Sequence, residues 1–272
     1  MLSAMLPIEP RDSSGTFLEV ALDFARRHCR YLQGTCLRPD TSAAVMAAAG
    51  MAAPVLIDDL ERDTWDRIGE AKEVFERAVL SSGMGDTLAE FHADIRPGAA
   101  GLAEHARLFD LTLVAQPRPG DPGARRTILE SVLFEGGRAV LLIPPTAAPA
   151  AIETVLVAWN GSAETARALA SARPLLDAAR RVVVVSTEGA MVSGPSSAEV
   201  AAMLRRVGVR AEARERVDGP SPGEAFLQAC RDLGAELMVK GAYTQSRLRQ
   251  MIFGGATSHI IEKAHLPVLL AH

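Results

Sequence analysis

The chain has 272 residues, 48% of them hydrophobic and 23% charged, enough to bury the core of two ordinary domains and too apolar for a disordered polymer. Aromatic residues make up only 4% and the net charge is -4, which removes both the stacking platforms and the basic footprint of a nucleic-acid binder. The opening MLSAMLPIEP lacks a basic n-region and no apolar run approaches the roughly 20 residues of a membrane span, so a cytoplasmic protein with neither nucleic-acid nor membrane partners is expected.

In chain order, the pattern predicts a strand over 4–8, a helix over 16–28 and a strand over 31–37. The Ala/Met-rich segment TSAAVMAAAGMAAP (41–54) has no usable periodicity and is read as a flap. A long helix follows over about 60–80. Its Leu60, Trp65, Ile68, Val74, Phe75 and Val79 fall on one stripe, which core packing explains without a ligand. Strands over 88–94 and 110–116, the loop PRPGDPGA, the helical ILESVLF and the strand AVLLI complete the first half. Three prolines and small residues in PPTAAPAAI (144–152) mark a linker, dividing the chain into domains 1–145 and 151–272.

The second half opens with TVLVAW (154–159), an apolar strand closed by Asn160-Gly161-Ser162, in which Ser162 reads as a helix N-cap rather than a nucleophile, since no G-x-S-x-G elbow surrounds it. A helix through ETARALASARPLL is bent or shortened at Pro174. RVVVVS (181–186) is a strand covered on both faces. A helix over 198–206, a strand over 210–217, a helix over 222–233 and the strand ELMVKG (236–241) follow, then a helical region in SRLRQMIFGGATSHIIEKA and a last strand PVLL. Strands alternating with helices at this spacing require right-handed crossovers and a parallel sheet. The endings AVLLIPP and PVLLAH match when Val140 is set on Val268, so the halves read as repeats of one unit.

In such sheets ligands sit beyond the carboxyl ends of the strands, where strand order reverses. The residues to inspect are therefore Asn160-Gly161-Ser162, Gly241-Ala242-Tyr243-Thr244 and Gly254-Gly255-Ala256-Thr257. Glycines before a helix let N–H groups approach phosphate oxygens at the positive end of the dipole. Charge points the same way: 21 acids face 15 Lys and Arg before Pro149, against 12 and 14 after it. Lys240, Arg247 and Arg249 flank the glycines, either as phosphate partners or as solvated surface charges. Cys29, Cys36 and Cys230 form no C-x-x-C pair and read as inert thiols, and the six histidines show no metal-ligand spacing.

The run GAYTQSRLRQMIFGGATSHII ending in PVLL, with VAWNGS at the first strand and turn, resembles the universal stress protein family in its tandem, two-domain form. The family's nucleotide motif is Gly, two residues, Gly, nine residues, Gly, then Ser or Thr. Here Gly241 and Gly254 keep the frame, while Thr244 replaces the second Gly and Gly255 the hydroxyl residue. The resemblance implies two doubly wound α/β domains, each with a five-stranded parallel sheet of order 3-2-1-4-5, joined through their last strands as an internal pseudo-dimer, with homodimerisation of the whole chain as a further expectation. It implies ATP as the cofactor, with Ser186 offering backbone groups to adenine, Thr244 and Thr257 supplying hydroxyls, and Asn160 standing where nucleotide-binding members carry Asp. In the first half Gln116 takes the place of the first Gly and Glu9 stands near the acidic position, which does not help a phosphate. Two functions follow from the resemblance: a stress-response regulatory protein acting on an unidentified protein partner, with an adapted adenine-nucleotide pocket in the second domain, or an ATP-binding protein with slow or no hydrolysis. A third, a related adenine-nucleotide hydrolase, lacks an identified catalytic group.

Overall fold

The computed structural model describes residues 2–10, 12, 16–42, 45–46, 54–85, 87–118, 124–215, 217, 219–243 and 255–272. Much of the Ala/Met-rich segment, together with Thr244, Arg247, Arg249 and Gly254, therefore lies outside the described residues.

The first half contains β1 (Leu2–Pro7), α1 (Thr16–His28), β2 (Cys29–Thr35), α2 (Pro54–Ser82), β3 (Leu88–Phe91), α3 (Gly98–Ala106), β4 (Leu111–Ala115), α4 (Ala124–Glu135) and β5 (Ala139–Ile143). The second contains β6 (Thr154–Ala158), α5 (Ala163–Ser171), α6 (Arg173–Ala178), β7 (Arg181–Val185), α7 (Ser197–Arg206), β8 (Ala211–Arg214), α8 (Pro222–Leu233), β9 (Leu237–Gly241), α9 (Ala256–Lys263) and β10 (Val268–Ala271). Pro174 does divide its helix, standing in the first turn of α6, where a missing N–H costs nothing. Ser162 caps α5 by accepting from the Thr165 N–H at 3.2 Å. α3 departs from the sequence reading, which left 95–109 without an element; two glycines in nine residues dilute its helical signal.

Among the described residues the strands form one ten-stranded sheet in the order β3-β2-β1-β4-β5-β10-β9-β6-β7-β8. Each half is parallel with order 3-2-1-4-5, and the halves meet where β5 and β10 pair antiparallel, Leu141 opposite Leu269. The expected internal pseudo-dimer seam is thus present, and it leaves neither apolar last strand as an open edge.

Side chains alternate across the sheet with period two. Leu141, Val155, Val157, Val182, Val184, Val239 and Leu269 join α1, α2, α5, α6 and α7 on one face; Val140, Leu142, Leu156, Val183, Met238, Val268 and Leu270 join α3, α4, α8 and α9 on the other. Burial on both faces is why these strands read as unbroken apolar runs. No helix among the described residues is long and apolar enough to cross a membrane.

Candidate functional site

The strand order reverses between β6 and β9, so their carboxyl ends and the amino ends of α5 and α9 enclose the crevice. On the β6 side, Asn160 turns its carboxamide oxygen inward, accepting from the Ser162 N–H at 3.1 Å and the Thr165 hydroxyl at 2.6 Å. It organises the start of α5 as an Asx turn. Gly161 is left-handed, φ 84°, and a Cβ there would meet the Val192 carbonyl at 2.8 Å. The loop after β7 roofs this turn, with the Val192 N–H donating to the Asn160 carbonyl at 2.9 Å.

On the β9 side, Gly241 is required by packing. A Cβ at that position would strike the Thr165 N–H and lie 2.7 Å from the Thr165 hydroxyl, so glycine is what lets α5 approach β9. Gly255 is the N-cap of α9 in extended backbone, φ -100°. Thr257, in the first turn of α9, is buried and points inward.

Lys240 is what most alters the sequence reading. Period-two alternation puts it on the Met238 face beneath α9, and it is only 6% exposed, where the sequence allowed a solvated charge. Its Nζ donates to the Gly241 carbonyl at 2.7 Å and to Thr257 Oγ1 at 2.9 Å, and among the described residues no carboxylate pairs with it. Burial pushes the ammonium down to about 8. The positive end of the α9 dipole lies beside it, with the same sign. Lys240 is thus a buried cation held by two neutral oxygens.

Ser186 follows the last residue of β7. Its N–H donates to the Arg214 carbonyl at 3.2 Å and its carbonyl accepts from the Val217 N–H at 3.1 Å, because pairing between β7 and the chain after β8 continues past the strand ends. The Ser186 N–H is taken up within the sheet, while its carbonyl keeps a second lone pair. Thr244 and Gly254, also expected here, lie outside the described residues.

The corresponding crevice of the first half is filled by the chain itself. Glu9 and Asp12, 2% and 3% exposed, lie beyond β1, with the Glu9 N–H donating to Asp12 at 2.8 Å. Arg67 from α2 pairs with Glu9, and Arg125 from the first turn of α4 pairs with Asp12 at 2.6 Å. Buried carboxylates need such partners. Glu9 stood out in the sequence; Asp12, three residues on, did not, and Arg67 and Arg125 are 58 and 113 positions from the carboxylates they meet. Gln116, in the place of the lost glycine, is buried and reaches across the seam, its Nε2 donating to the carbonyls of Ile261 at 2.7 Å and Ala264 at 3.3 Å at the end of α9. Gln116→Ala is expected to lower stability by about 1–3 kcal/mol, the cost of leaving buried acceptors unmet; a urea midpoint unchanged from wild type would show that this contact contributes nothing.

The cysteines are all buried, and burial raises the thiols of Cys29 and Cys230 to about 12 and that of Cys36 to about 11, the opposite of a reactive thiolate. Among the described residues no cluster of three or more His, Cys, Asp or Glu is placed to hold a metal ion.

The family model of the Universal stress protein family matches residues 151–272. The likeness to that family in sequence is thus confined to residues 151–272. As a whole it is similar to a universal stress protein from Archaeoglobus fulgidus DSM 4304, with a TM-score of 0.66 and 18% identity, covering 98% of this chain and 95% of that one. It is also similar to a functionally unknown protein from Pseudomonas aeruginosa PAO1, with a TM-score of 0.52 and 15% identity over 99% and 92% of the two chains. Both are likenesses of fold. No curated protein shows significant similarity to the chain. Within residues 151–272, Asn160 and Gly241 both meet Thr165 of α5, and Lys240 meets Thr257 of α9.

Proposed function

We propose that the chain is a stress-response binding protein in which residues 151–272 form a domain that takes the phosphates of an adenine nucleotide, while residues 1–145 form a degenerate partner domain that binds none. The observation that carries this reading is Lys240, a buried cation without a carboxylate partner among the described residues, donating to Thr257 in the first turn of α9. A bound phosphate supplies the missing charge. The cation takes over work that a glycine-rich cradle performs through backbone N–H groups, which fits a site where Thr244 and Gly255 replace two motif residues. Beyond β1, the described carboxylates Glu9 and Asp12 are paired with Arg67 and Arg125, which sets negative charge where an anion would have to sit. Signalling then runs through contacts with a partner protein, set by whether the second domain is loaded.

Calorimetric titration of the full chain with MgATP, adenosine and tripolyphosphate tests this. We expect one MgATP per chain, and Lys240→Met weakening it by roughly tenfold or more, the scale of one hydrogen bond to a charged group. Equal affinity in the variant, or no binding of MgATP by wild type, would refute the reading. Absence of product under turnover conditions would separate a sensor from a hydrolase.

A further inference from the structure

Tyr243 is, among the described residues, the only non-glycine with positive φ, 56°. A bulky side chain stays left-handed only where its surroundings over-determine it. Here one of those surroundings, Phe134, comes from the other half of the molecule. The Tyr243 ring lies 5.0 Å from that of Phe134, in the last turn of α4, at an interplanar angle of 45°. Phe134 in turn meets the His272 ring edge-on at 5.0 Å, and His272 Nδ1–H donates to the Ala242 carbonyl at 3.0 Å. The conformation so held directs the Tyr243 N–H at Thr257 Oγ1, 3.4 Å away, the same hydroxyl that accepts from Lys240. Gln116, also from the first half, holds the far end of α9 through Ile261 and Ala264.

We infer that the first half is a clamp on the anion site of the second, with Phe134 as the positioning residue that keeps Tyr243 left-handed and so aims the Tyr243 N–H and the Thr257 hydroxyl. This rests on the reading of the Lys240 crevice as an anion site, but the clamp itself is a property of the ligand-free chain and is measured separately. It gives a use to the first half: Gln116 holds α9, and Phe134 of α4 packs against Tyr243. Coupling is reciprocal, so an anion drawing on Thr257 also tightens the packing of Tyr243 on Phe134.

Glycine adopts positive φ without strain. Tyr243→Gly should therefore make the left-handed turn independent of Phe134. The experiment uses the full chain as wild type, Phe134→Ala, Tyr243→Gly and the double variant, with two readouts: hydrogen exchange of the Tyr243 amide without ligand, and MgATP affinity. In Phe134→Ala the Tyr243 amide is expected to exchange about tenfold faster or more, with Val239 and Leu269 unchanged, and MgATP to bind about fivefold more weakly. In the double variant affinity returns to that of Tyr243→Gly alone. Unchanged exchange in Phe134→Ala overturns the clamp, as does an affinity loss that Tyr243→Gly leaves uncorrected. Faster exchange in a protein that binds no MgATP even as wild type leaves the clamp standing and removes the nucleotide reading. If Phe134→Ala does not fold, Phe134→Leu, which keeps apolar volume but no ring, is read by the same outcomes.

Discussion

Leu269→Asp is expected to abolish the soluble, compact chain. Leu269 lies opposite Leu141 in the antiparallel seam, the two being 1% and 0% exposed, and the neighbouring Val268, Leu270, Val140 and Leu142 are buried on the opposite face. Truncating a buried leucine costs about 2–5 kcal/mol. An unpaired carboxylate in its place adds several more, and the sum is comparable with the roughly 5–15 kcal/mol that holds a domain folded. Loss of the seam would also expose two apolar strand edges, so the expected readout is aggregation or new oligomers by light scattering, with a collapsed urea transition. Leu88→Asp is the matched control: β3 is an outer strand of the sheet, Leu88 is 57% exposed, and the change should stay within about 0.5 kcal/mol. A Leu269→Asp chain with wild-type mass and midpoint would contradict the seam.

The second large effect is a pH dependence. Burial lowers the folded-state value of Lys240 from 10.5 to about 8. Between those two values the unfolded chain binds the proton that the folded chain has released, so unfolding free energy rises with pH across this window and is flat, for this group, on either side. The whole rise is about 3 kcal/mol at most, from 1.36 kcal/mol per unit. Below pH 8 the folded state carries the full cost of a buried ammonium. Lys240→Met removes that cost, leaves Thr257 and the Gly241 carbonyl without this donor, and should erase the rise. Urea unfolding of both proteins at intervals from pH 7 to 10 decides it: parallel profiles would mean that Lys240 titrates alike in the folded and unfolded chain.

The parts of the fold legible in the sequence are those where burial alone sets the pattern. RVVVV and AVLLI read as strands because both faces are covered, and the match of AVLLIPP with PVLLAH anticipates the β5–β10 seam. α3 was not legible because Gly98 and Gly101 weaken a nine-residue helix that tertiary packing of Leu102 and Ala106 sustains. In the site, the frame Gly241 to Thr257 was visible, yet the reason for Gly241 was not, since its close neighbour Thr165 is 76 positions away in the chain. A lysine ending an apolar strand reads as solvated until α9 is known to cover it. The loss of glycine at Gln116 showed what the first half lacks; only the cross-seam hydrogen bonds show what took its place. At Ser186 the strand pairing that outlasts the strand, through Val217, leaves no mark in composition.

The anion site proposed for residues 151–272 is built on a buried, titratable lysine, Lys240. The chain has three lysines, Lys72, Lys240 and Lys263, so selective carbon-13 labelling at Cε gives three resonances assignable by substitution. The Lys240 resonance is expected to titrate at about 8 in the free chain, and saturating MgATP to move its midpoint upward, because a bound phosphate favours the charged form. Lys72 and Lys263 should not respond to MgATP. A Lys240 resonance that titrates in the ordinary lysine range and ignores MgATP would contradict the account.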